Sequence, residues 1–306
     1  MTLPTYVLIT PARNEAQFIE LTIKSVIAQT TRPLKWVIVS DGSTDATDDI
    51  VRRYATEHAW MELIRMPERR ERHFAGKVQA FSAGYAAIRD LPYEVVGSLD
   101  GDLSFDQTYF EFLLQKLAAD PTLGLVGTPF QEGSGEMYDY RYSSTENVSG
   151  ACQLFRRGCF EAIGGYVPLK EGGIDHVAQI TARMKGWKTR TFTEKVTQHH
   201  RKMGTGRNSA WKVPFKQGLK DYMLCNHPVW EIFRTMYKMT HRPFMLGGVL
   251  LGAGYCWGAL RAYERPLSPE MRAFIRDEQL RRLKAFLGNP LTKSKPPIYN
   301  ASLDQQ

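Results

Sequence analysis

Short apolar runs alternate with helical patterns along the first half of the chain. The first two runs, residues 6–10 and 36–40, are rich in Val and Ile and are typical of buried strands. Between them, Ile19, Ile23 and Val26 follow the three-and-four spacing of a helix packed on a core. Further strands are predicted at 62–66, 95–99, 123–127 and 150–157, with helices between them. This alternation predicts an α/β fold with a doubly wound, mostly parallel, Rossmann-like sheet.

Acidic residues follow two of these predicted strands. Asp41 comes after the second strand, and Asp100 and Asp102 come after the strand at 95–99 with one glycine between them. Open α/β sheets bind ligands at the carboxyl ends of their strands. Two neighbouring carboxylates repel each other unless a cation is present, so the pair indicates Mg²⁺ or Mn²⁺ holding a diphosphate. By itself, Asp-Gly-Asp is also typical of an exposed polar turn.

Two further polar residues stand near predicted helix starts. Lys77 is placed to meet a phosphate, and it is equally typical of a solvated lysine. Asp175 comes shortly after two glycines. A carboxylate at such a helix start is a good proton acceptor when a cavity lies above it. Aspartate is also common as a plain helix N-cap. Residues 128–149, by contrast, are polar with little periodicity and predict a loop or small insertion near the site.

A series of motifs occurs in the order and spacing of a known family. They are Pro-Ala-Arg-Asn-Glu at 11–15, Asp-Gly-Ser-Thr-Asp at 41–45, Gly-Lys at 76–77, Asp-Gly-Asp at 100–102, Phe-Arg-Arg at 155–157 with Gly-Gly-Tyr at 164–166, and Gly-Ile-Asp at 173–175 before Lys-Gly-Trp at 185–187. Over about residues 5–205 the chain resembles the family 2 glycosyltransferases. The resemblance implies a GT-A fold, a nucleotide-diphospho-sugar donor, a divalent cation, and transfer with inversion at the anomeric carbon.

The resemblance also implies roles for residues around the donor. The nucleoside would be held by Ala12, Arg13, Glu15 and Asp41. Asp100 would lie near the ribose and the metal, and Asp102 would bind the metal and the diphosphate. Lys77 belongs to the same nucleotide-sugar site.

Two more roles follow from position in the motifs. Asp175 matches the catalytic base, although many relatives have a glutamate directly before it where this chain has Ile174. Such a base would take the proton of the acceptor hydroxyl as that hydroxyl attacks the sugar. His200 follows a predicted strand near the place where some relatives add a histidine metal ligand. An ordinary loop histidine is the other interpretation.

Composition and charge limit the remaining possibilities. The chain has 306 residues, 43% of them hydrophobic, which suits a globular protein with a large core. Its four scattered cysteines predict neither a disulfide framework nor a zinc site. The formal charge of +8 is concentrated towards the C-terminal half, beside an apolar segment and outside any known nucleic-acid-reading motif, which argues against nucleic acid. The first residues lack the features of a secretory signal, so we expect a cytoplasmic location.

From about residue 206 the pattern changes. Phe215 and Leu219, with lysines beside them, predict a helix that lies on a membrane surface or packs on the catalytic domain. Residues 243–260 carry no charge and contain five glycines, and basic residues flank both ends. That length is at the lower limit for spanning a bilayer, and the flanking charges favour a segment that enters the membrane and returns. A spanning helix and a buried core helix are the alternatives.

Together these features predict a catalytic domain at 1–205, a helical membrane-associated region at 206–288, and a disordered tail at 289–306. The expected function is metal-dependent, inverting, hexosyltransferase-type transfer at the inner face of the cell membrane. The expected acceptor is a saccharide or a lipid-linked saccharide in surface polysaccharide or glycoconjugate synthesis. A non-catalytic, membrane-tethered nucleotide-sugar-binding protein is the alternative, and it would be expected to have lost the metal pair or the base. A nucleotidyltransferase would need a glycine-rich loop where residues 11–15 contain no glycine.

Overall fold

A seven-stranded sheet forms the centre of the first part of the protein. The computed structural model describes residues 2–68, 74–133, 136–137, 144–169, 172–201, 212–240 and 244–288. The first unit contains β1 (Tyr6–Ala12), α1 (Ile19–Ile27), β2 (Lys35–Asp41), α2 (Thr47–Glu57), β3 (Met61–Met66), α3 (Phe74–Ile88), β4 (Val95–Leu99), β5 (Leu103–Ser104), α4 (Tyr109–Ala119), β6 (Leu123–Gly127), β7 (Phe130–Glu132), β8 (Glu136–Met137), β9 (Cys152–Arg156), α5 (Arg157–Ala162), α6 (Ile174–Met184), β10 (Lys188–Thr191) and β11 (Thr197–His199).

The strand order of the large sheet is β10-β6-β9-β4-β1-β2-β3. Only β9 runs antiparallel to its neighbours, β4 and β6, among the strands paired in this sheet of the described residues. The other pairs are parallel. The predicted α/β fold with a mostly parallel sheet is therefore confirmed.

Both faces of this sheet are covered. On β1, Leu8 belongs to a core cluster shared with α1, α2 and α4, and its neighbours Val7 and Ile9 belong to a second cluster shared with α3, α5 and α6. Strands buried on both sides have continuous apolar sequences, which explains the runs in the amino-acid sequence. On α3, a Cβ added at Gly84 would lie 2.7 Å from a methyl carbon of Ile9, so the glycine allows close approach of helix and sheet.

A second, four-stranded sheet has the order β5-β11-β7-β8. Two of its strands, β7 and β8, lie within residues 128–149, where the sequence predicted a loop or small insertion. The strands themselves were not predicted, because strands of two or three residues are too short to show a period. In this sheet His199 is paired with Leu103, which brings the end of β11 beside the Asp-Gly-Asp turn.

The second unit is helical and contains α7 (Lys212–Met223), α8 (Pro228–Met239), α9 (Leu246–Leu260) and α10 (Pro269–Gly288). A Cβ added at Gly254 of α9 would lie 2.0 Å from the carbonyl oxygen of Phe215, so the backbones of α7 and α9 touch. The side of α7 that carries Phe215 thus packs on α9. None of the helices in the described ranges combines the length and the apolar character that crossing a membrane requires. The predicted tail at 289–306 and the predicted boundary at 205 lie outside the described residues.

A buried polar cluster lies inside the helical unit. The Asp221 and Glu231 side chains are 3% and 2% exposed. Arg234 approaches Asp221 with a nitrogen 2.6 Å from Oδ2, and the Asn226 amide donates to Glu231 Oε2 at 3.3 Å. Burial, reinforced by the charge of Asp221, raises the pKa of Glu231 to about 7.

This pKa gives the helical unit a specific pH dependence. Above about pH 4.5, Glu231 is ionised in the unfolded chain, whereas in the folded chain it keeps its proton up to about pH 7. The free energy of unfolding therefore falls as the pH rises from about 4.5, and it levels off above about pH 7. Glu231→Gln removes this penalty. We expect its stability relative to the native chain to rise by about 2 kcal/mol between pH 5 and pH 8. Urea unfolding at both pH values measures this, with exposed Glu264→Gln as control; a pH-independent difference would contradict it.

Candidate active site

The ends of three neighbouring strands bring predicted site residues to one edge of the large sheet. The strands β2, β1 and β4 are adjacent and parallel. Ala12 is the last residue of β1, Asp41 is the last residue of β2, and Asp100 directly follows β4. Both Ala12 and Asp41 are buried. The edge is the place where open α/β sheets bind ligands.

The loops after β1 and β2 are joined by hydrogen bonds. The backbone N–H of Glu15 donates to Thr47 Oγ1 at 2.8 Å, and that of Asn14 donates to Ser43 Oγ at 3.1 Å. An Arg13 guanidinium nitrogen lies 3.7 Å from Asp41 Oδ2. The four residues predicted to hold a nucleoside therefore lie at the ends of two adjacent strands and in the loop that follows β1.

Lys77, in the first turn of α3, binds Asp100. Its Nζ lies 2.5 Å from Asp100 Oδ1 and 3.4 Å from the carbonyl oxygen of Gly150. Burial disfavours the charged form of Lys77, but the carboxylates of Asp100, Asp175 and Asp102 outweigh it and raise the lysine pKa. Burial also raises the pKa of Asp100, against the opposing effect of Lys77 and with a further contribution from Asp102. The ammonium thus keeps a partly desolvated carboxylate in place.

Asp102 lies beside His199 rather than His200. Asp102 and His199 are 7% and 8% exposed, and Nε2 of His199 is 3.6 Å from Asp102 Oδ1. Within the described part of the chain, Asp102 Oδ1 and His199 Nδ1 are buried without a hydrogen bond. Arg201 completes this cluster: its Nε is 3.5 Å from Asp102 Oδ2, and its guanidinium also pairs with Glu15.

His200 faces another way. Its Nε2 is 2.8 Å from Ser104 Oγ, and its ring stacks on Phe18 with centroids 6.1 Å apart. Only its backbone N–H reaches Asp102, donating to the carbonyl oxygen at 2.9 Å. The signal that distinguishes the two histidines is the strand alternation of β11, in which Thr197 and His199 are buried and the residues after each are not. Our sequence interpretation did not use it.

Asp175 lies in the first turn of α6 and is not its N-cap. The N-cap is Gly173, whose φ of 91° is in the left-handed region that glycine tolerates. The N-cap interpretation of Asp175 is therefore wrong. A Cβ added at Gly150 would lie 2.9 Å from Asp175 Oδ2, so the carboxylate is packed against the Gly150 backbone. Since Lys77 contacts the carbonyl of the same glycine, Gly150 joins Asp175 to the Lys77–Asp100 pair, a role the sequence did not reveal.

The residues around Asp102 suit a divalent cation. No cluster of three or more His, Cys, Asp or Glu side chains with metal-binding geometry occurs among the described residues. Mg²⁺ and related ions usually take one or two carboxylates, several waters and substrate phosphates instead of an all-protein cage. Asp102 Oδ1, which is buried without a hydrogen bond, and His199 Nε2, which lies 3.6 Å from it, are donors of types that Mn²⁺ also accepts. The donor set therefore fits an ion shared with a phosphorylated ligand.

Comparison with known proteins gives the site its context. The model of glycosyl transferase family 2 matches residues 7–168. The chain is 29% identical over 170 residues to the poly-beta-1,6-N-acetyl-D-glucosamine synthase of Staphylococcus aureus (strain COL), a match that covers 49% of this chain and 39% of that protein. The chain thus matches well under half of that relative's length.

Solved structures share the fold. The mannosyltransferase PcManGT from Pyrobaculum calidifontis, in complex with GDP-Man and Mn²⁺, superposes with a TM-score of 0.56 at 19% identity, covering 95% of this chain and 82% of the other. TarS of S. aureus, in complex with UDP-GlcNAc, superposes with a TM-score of 0.55 at 11% identity, covering 89% and 78%. At these identities the likeness concerns the fold.

The Lys77–Asp100 pair makes a testable contribution to stability. Lys77→Met leaves a desolvated carboxylate without its cation, and we expect a loss of about 2 kcal/mol at pH 7.5. The loss should shrink towards pH 5, because protonated Asp100 no longer needs a cation. Adding Asp100→Asn to the variant should restore most of the stability. Denaturant unfolding of the two single variants and the double variant measures this, and additive losses would show that the pair is not coupled.

Proposed function

The chain belongs to glycosyl transferase family 2, and from this premise we propose that it is a metal-dependent, inverting glycosyltransferase. It moves a hexosyl group from a nucleotide-diphospho-sugar to an acceptor hydroxyl. The observation that carries the proposal is the gathering of Asp100, Asp102 and Asp175 around Lys77, with Asp41 at the same carboxyl edge of the sheet. A protein that only binds nucleotide sugars has no need of Asp175 in such a place.

The donor lies along the loops after β1 and β2 in this proposal. Ala12, Arg13, Glu15 and Asp41 hold the nucleoside, with the Asp41 carboxylate accepting hydrogen bonds from base or ribose donors. The adjoining position of the two loops supports this arrangement. PcManGT with GDP-Man and TarS with UDP-GlcNAc have the same fold, which supports a nucleotide sugar as the donor. Asp100, positioned by Lys77, lies nearest the ribose and the metal.

Mg²⁺ or Mn²⁺ is held by Asp102 together with the donor diphosphate, and His199 replaces His200 as the histidine candidate. The buried Asp102 Oδ1 makes no hydrogen bond and lies 3.6 Å from His199 Nε2, which supports this choice. When bound, the cation neutralises the negative charge that develops on the departing diphosphate. Arg201, already at Asp102, adds a positive charge in the same place.

Asp175 acts as the catalytic base. A carboxylate oxygen of Asp175 takes the proton of the acceptor hydroxyl. At the same time the hydroxyl oxygen bonds to the anomeric carbon, on the face opposite the diphosphate. The bond from the anomeric carbon to the diphosphate breaks in the same step, through an oxocarbenium-like transition state. Gly150 supports this role because its lack of a side chain leaves room for the Asp175 carboxylate beside it.

The proposed acceptor is a saccharide, free or lipid-linked, in the synthesis of a surface polysaccharide or glycoconjugate. The similarity to a synthase of poly-beta-1,6-N-acetyl-D-glucosamine supports a polysaccharide product. We place the enzyme at the inner face of the cell membrane, because an uncharged segment at 243–260 with basic flanks suits contact with lipid. A lipid-linked acceptor would be presented at that surface.

Donor turnover tests the enzyme assignment. Incubated with a panel of nucleotide sugars and Mg²⁺ or Mn²⁺, the native chain should hydrolyse or transfer one of them. Asp102→Ala should lose turnover by losing the cation, and Asp175→Asn should lower kcat by about 10²-fold to 10⁴-fold while still binding the donor. Exposed Asp90→Asn is the control. Donor binding without turnover, even with membrane-extract acceptors, would support a non-catalytic binding protein instead.

The two histidines give a second, sharper test. His199→Ala should raise the Mn²⁺ concentration needed for half-maximal activity by about tenfold or more, because it removes a proposed ligand. His200→Ala is the matched control, since its ring contacts Ser104 and Phe18, and its metal requirement should stay close to native. The opposite ranking would return the ligand role to His200.

A further inference from the structure

An exposed apolar surface runs along two helices of the second unit. On α8, Val229, Ile232 and Met236 are 47%, 59% and 64% exposed. On α9, Val249, Trp257 and Leu260 are 50%, 41% and 80% exposed. We call these six residues the α8–α9 face. Single exposed apolar residues are ordinary, but rows of them along adjacent helices mark a surface that contacts something apolar.

The two rows lie on the same side of a helical hairpin. The start of α9 meets the end of α8, since a Cβ added at Gly248 would lie 2.5 Å from the carbonyl oxygen of Thr235 and 2.4 Å from a Met239 side-chain carbon. Farther along, Gly252 also faces Thr235, so the helices are antiparallel. In each helix an exposed residue directly follows a contact residue: Met236 follows Thr235, and Val249 follows Gly248. Each residue of an α-helix is rotated by about 100° about the helix axis from the residue before it. Because the two helices are antiparallel, this rotation away from their contact points both exposed rows to the same side.

The other sides of α9 are occupied by protein. Gly248 faces α8, and Gly254 and Gly258 face Phe215 and Tyr222 of α7. The glycines of the uncharged segment thus form contacts between helices, while its large apolar residues remain outside. Lipid could reach this segment from one side only, which fits a helix lying in the plane of a membrane surface and not a segment that enters and returns.

Charge and aromatic residues indicate what kind of surface it is. The described residues of this unit carry twelve Lys and Arg side chains against six Asp and Glu. Where α9 ends, the Arg261 guanidinium lies 4.7 Å from the Trp257 ring centroid, and Trp257, Arg261 and Tyr263 line a cavity of about 410 Å³. Trp and Tyr beside a cation are typical of the boundary between lipid tails and head groups. Such a cavity suits a phosphate head group, which Arg binds well.

We propose that the α8–α9 face lies in the interfacial layer of an anionic lipid membrane, with both helices parallel to the membrane plane. The apolar residues enter the acyl boundary, and Arg261 with Trp257 and Tyr263 takes a lipid phosphate. The proposal deepens the proposed function because it names the surface that holds the enzyme at a membrane. Its biological purpose rests on the proposed function, whereas binding to lipid does not.

Binding of the purified full chain to vesicles tests the proposal. We expect it to sediment with vesicles of phosphatidylcholine and phosphatidylglycerol, and weakly with phosphatidylcholine alone. Met236→Ser with Leu260→Ser should weaken binding by about thirtyfold or more, because two exposed apolar side chains no longer enter the acyl boundary. The matched control is Leu21→Ser with Leu34→Ser, which changes two exposed leucines of the first unit, 42% and 46% exposed. Arg261→Gln should reduce the preference for anionic vesicles.

A local probe distinguishes lipid from other occupants of the face. Cys256 precedes Trp257 and is the exposed cysteine among the four described. An environment-sensitive dye on Cys256 should shift to shorter emission wavelength with anionic vesicles. No vesicle binding, or binding that the Met236/Leu260 variant leaves unchanged, would overturn the proposal. Self-association that buries the dye and that vesicles do not reverse would assign the face to a second copy and also overturn it.

Donor hydrolysis in the same samples distinguishes a failure of the lipid-binding proposal from a failure of the proposed glycosyltransferase activity. Measured without vesicles, it should be equal in the native chain and in the Met236/Leu260 variant. Vesicle binding that fails while hydrolysis persists would reject the lipid surface and leave the glycosyltransferase. Hydrolysis that fails while the vesicle results hold would reject the proposed activity and leave the lipid surface.

Discussion

The candidate site depends on a half-buried ammonium among carboxylates. Asp100, Asp102 and Asp175 all act on Lys77, and Lys77 in turn pairs with Asp100 at 2.5 Å. Without an internal cation, carboxylates at one sheet edge would repel each other and take up protons. The first turn of α3 supplies that cation, and Gly84 lets α3 lie close enough to the sheet for Lys77 to reach the end of β4. The close packing of α3 on the sheet therefore also places the positive charge that the carboxylates of the site require.

The parts of this fold that are predictable from sequence are those with a strong local pattern. The strands β1, β2 and β4 are buried on both faces, so their sequences are continuous apolar runs, and their carboxyl ends show where Asp41 and Asp100 must lie. The small sheet has no such signal, because β5 and β8 contain two residues each. Sequence reasoning placed a histidine near Asp100 and Asp102 but chose His200, the neighbour of the histidine that the structure brings to Asp102.

Tertiary contacts hide two other features from sequence. Gly150 lies just before β9, and its importance comes from the Asp175 carboxylate and the Lys77 ammonium, which are distant in sequence. In α9, an apolar composition suggests lipid on all sides. The contacts of Gly248, Gly254 and Gly258 show that the glycine-bearing sides face protein instead. Composition gives the amount of apolar surface, whereas packing decides which side remains available.

Charge balance indicates why a cation and a diphosphate would bind here together. The four carboxylates near Lys77 and Arg201, those of Glu15, Asp100, Asp102 and Asp175, exceed these two cations by two charges. A divalent ion would neutralise the difference, and Asp102 Oδ1, which makes no hydrogen bond, gives it a place. A diphosphate then brings negative charge back, and Arg201, which already lies beside Asp102, adds its positive charge to that of the ion. On this argument the ion acts first on the charge of the protein and then on that of the leaving group.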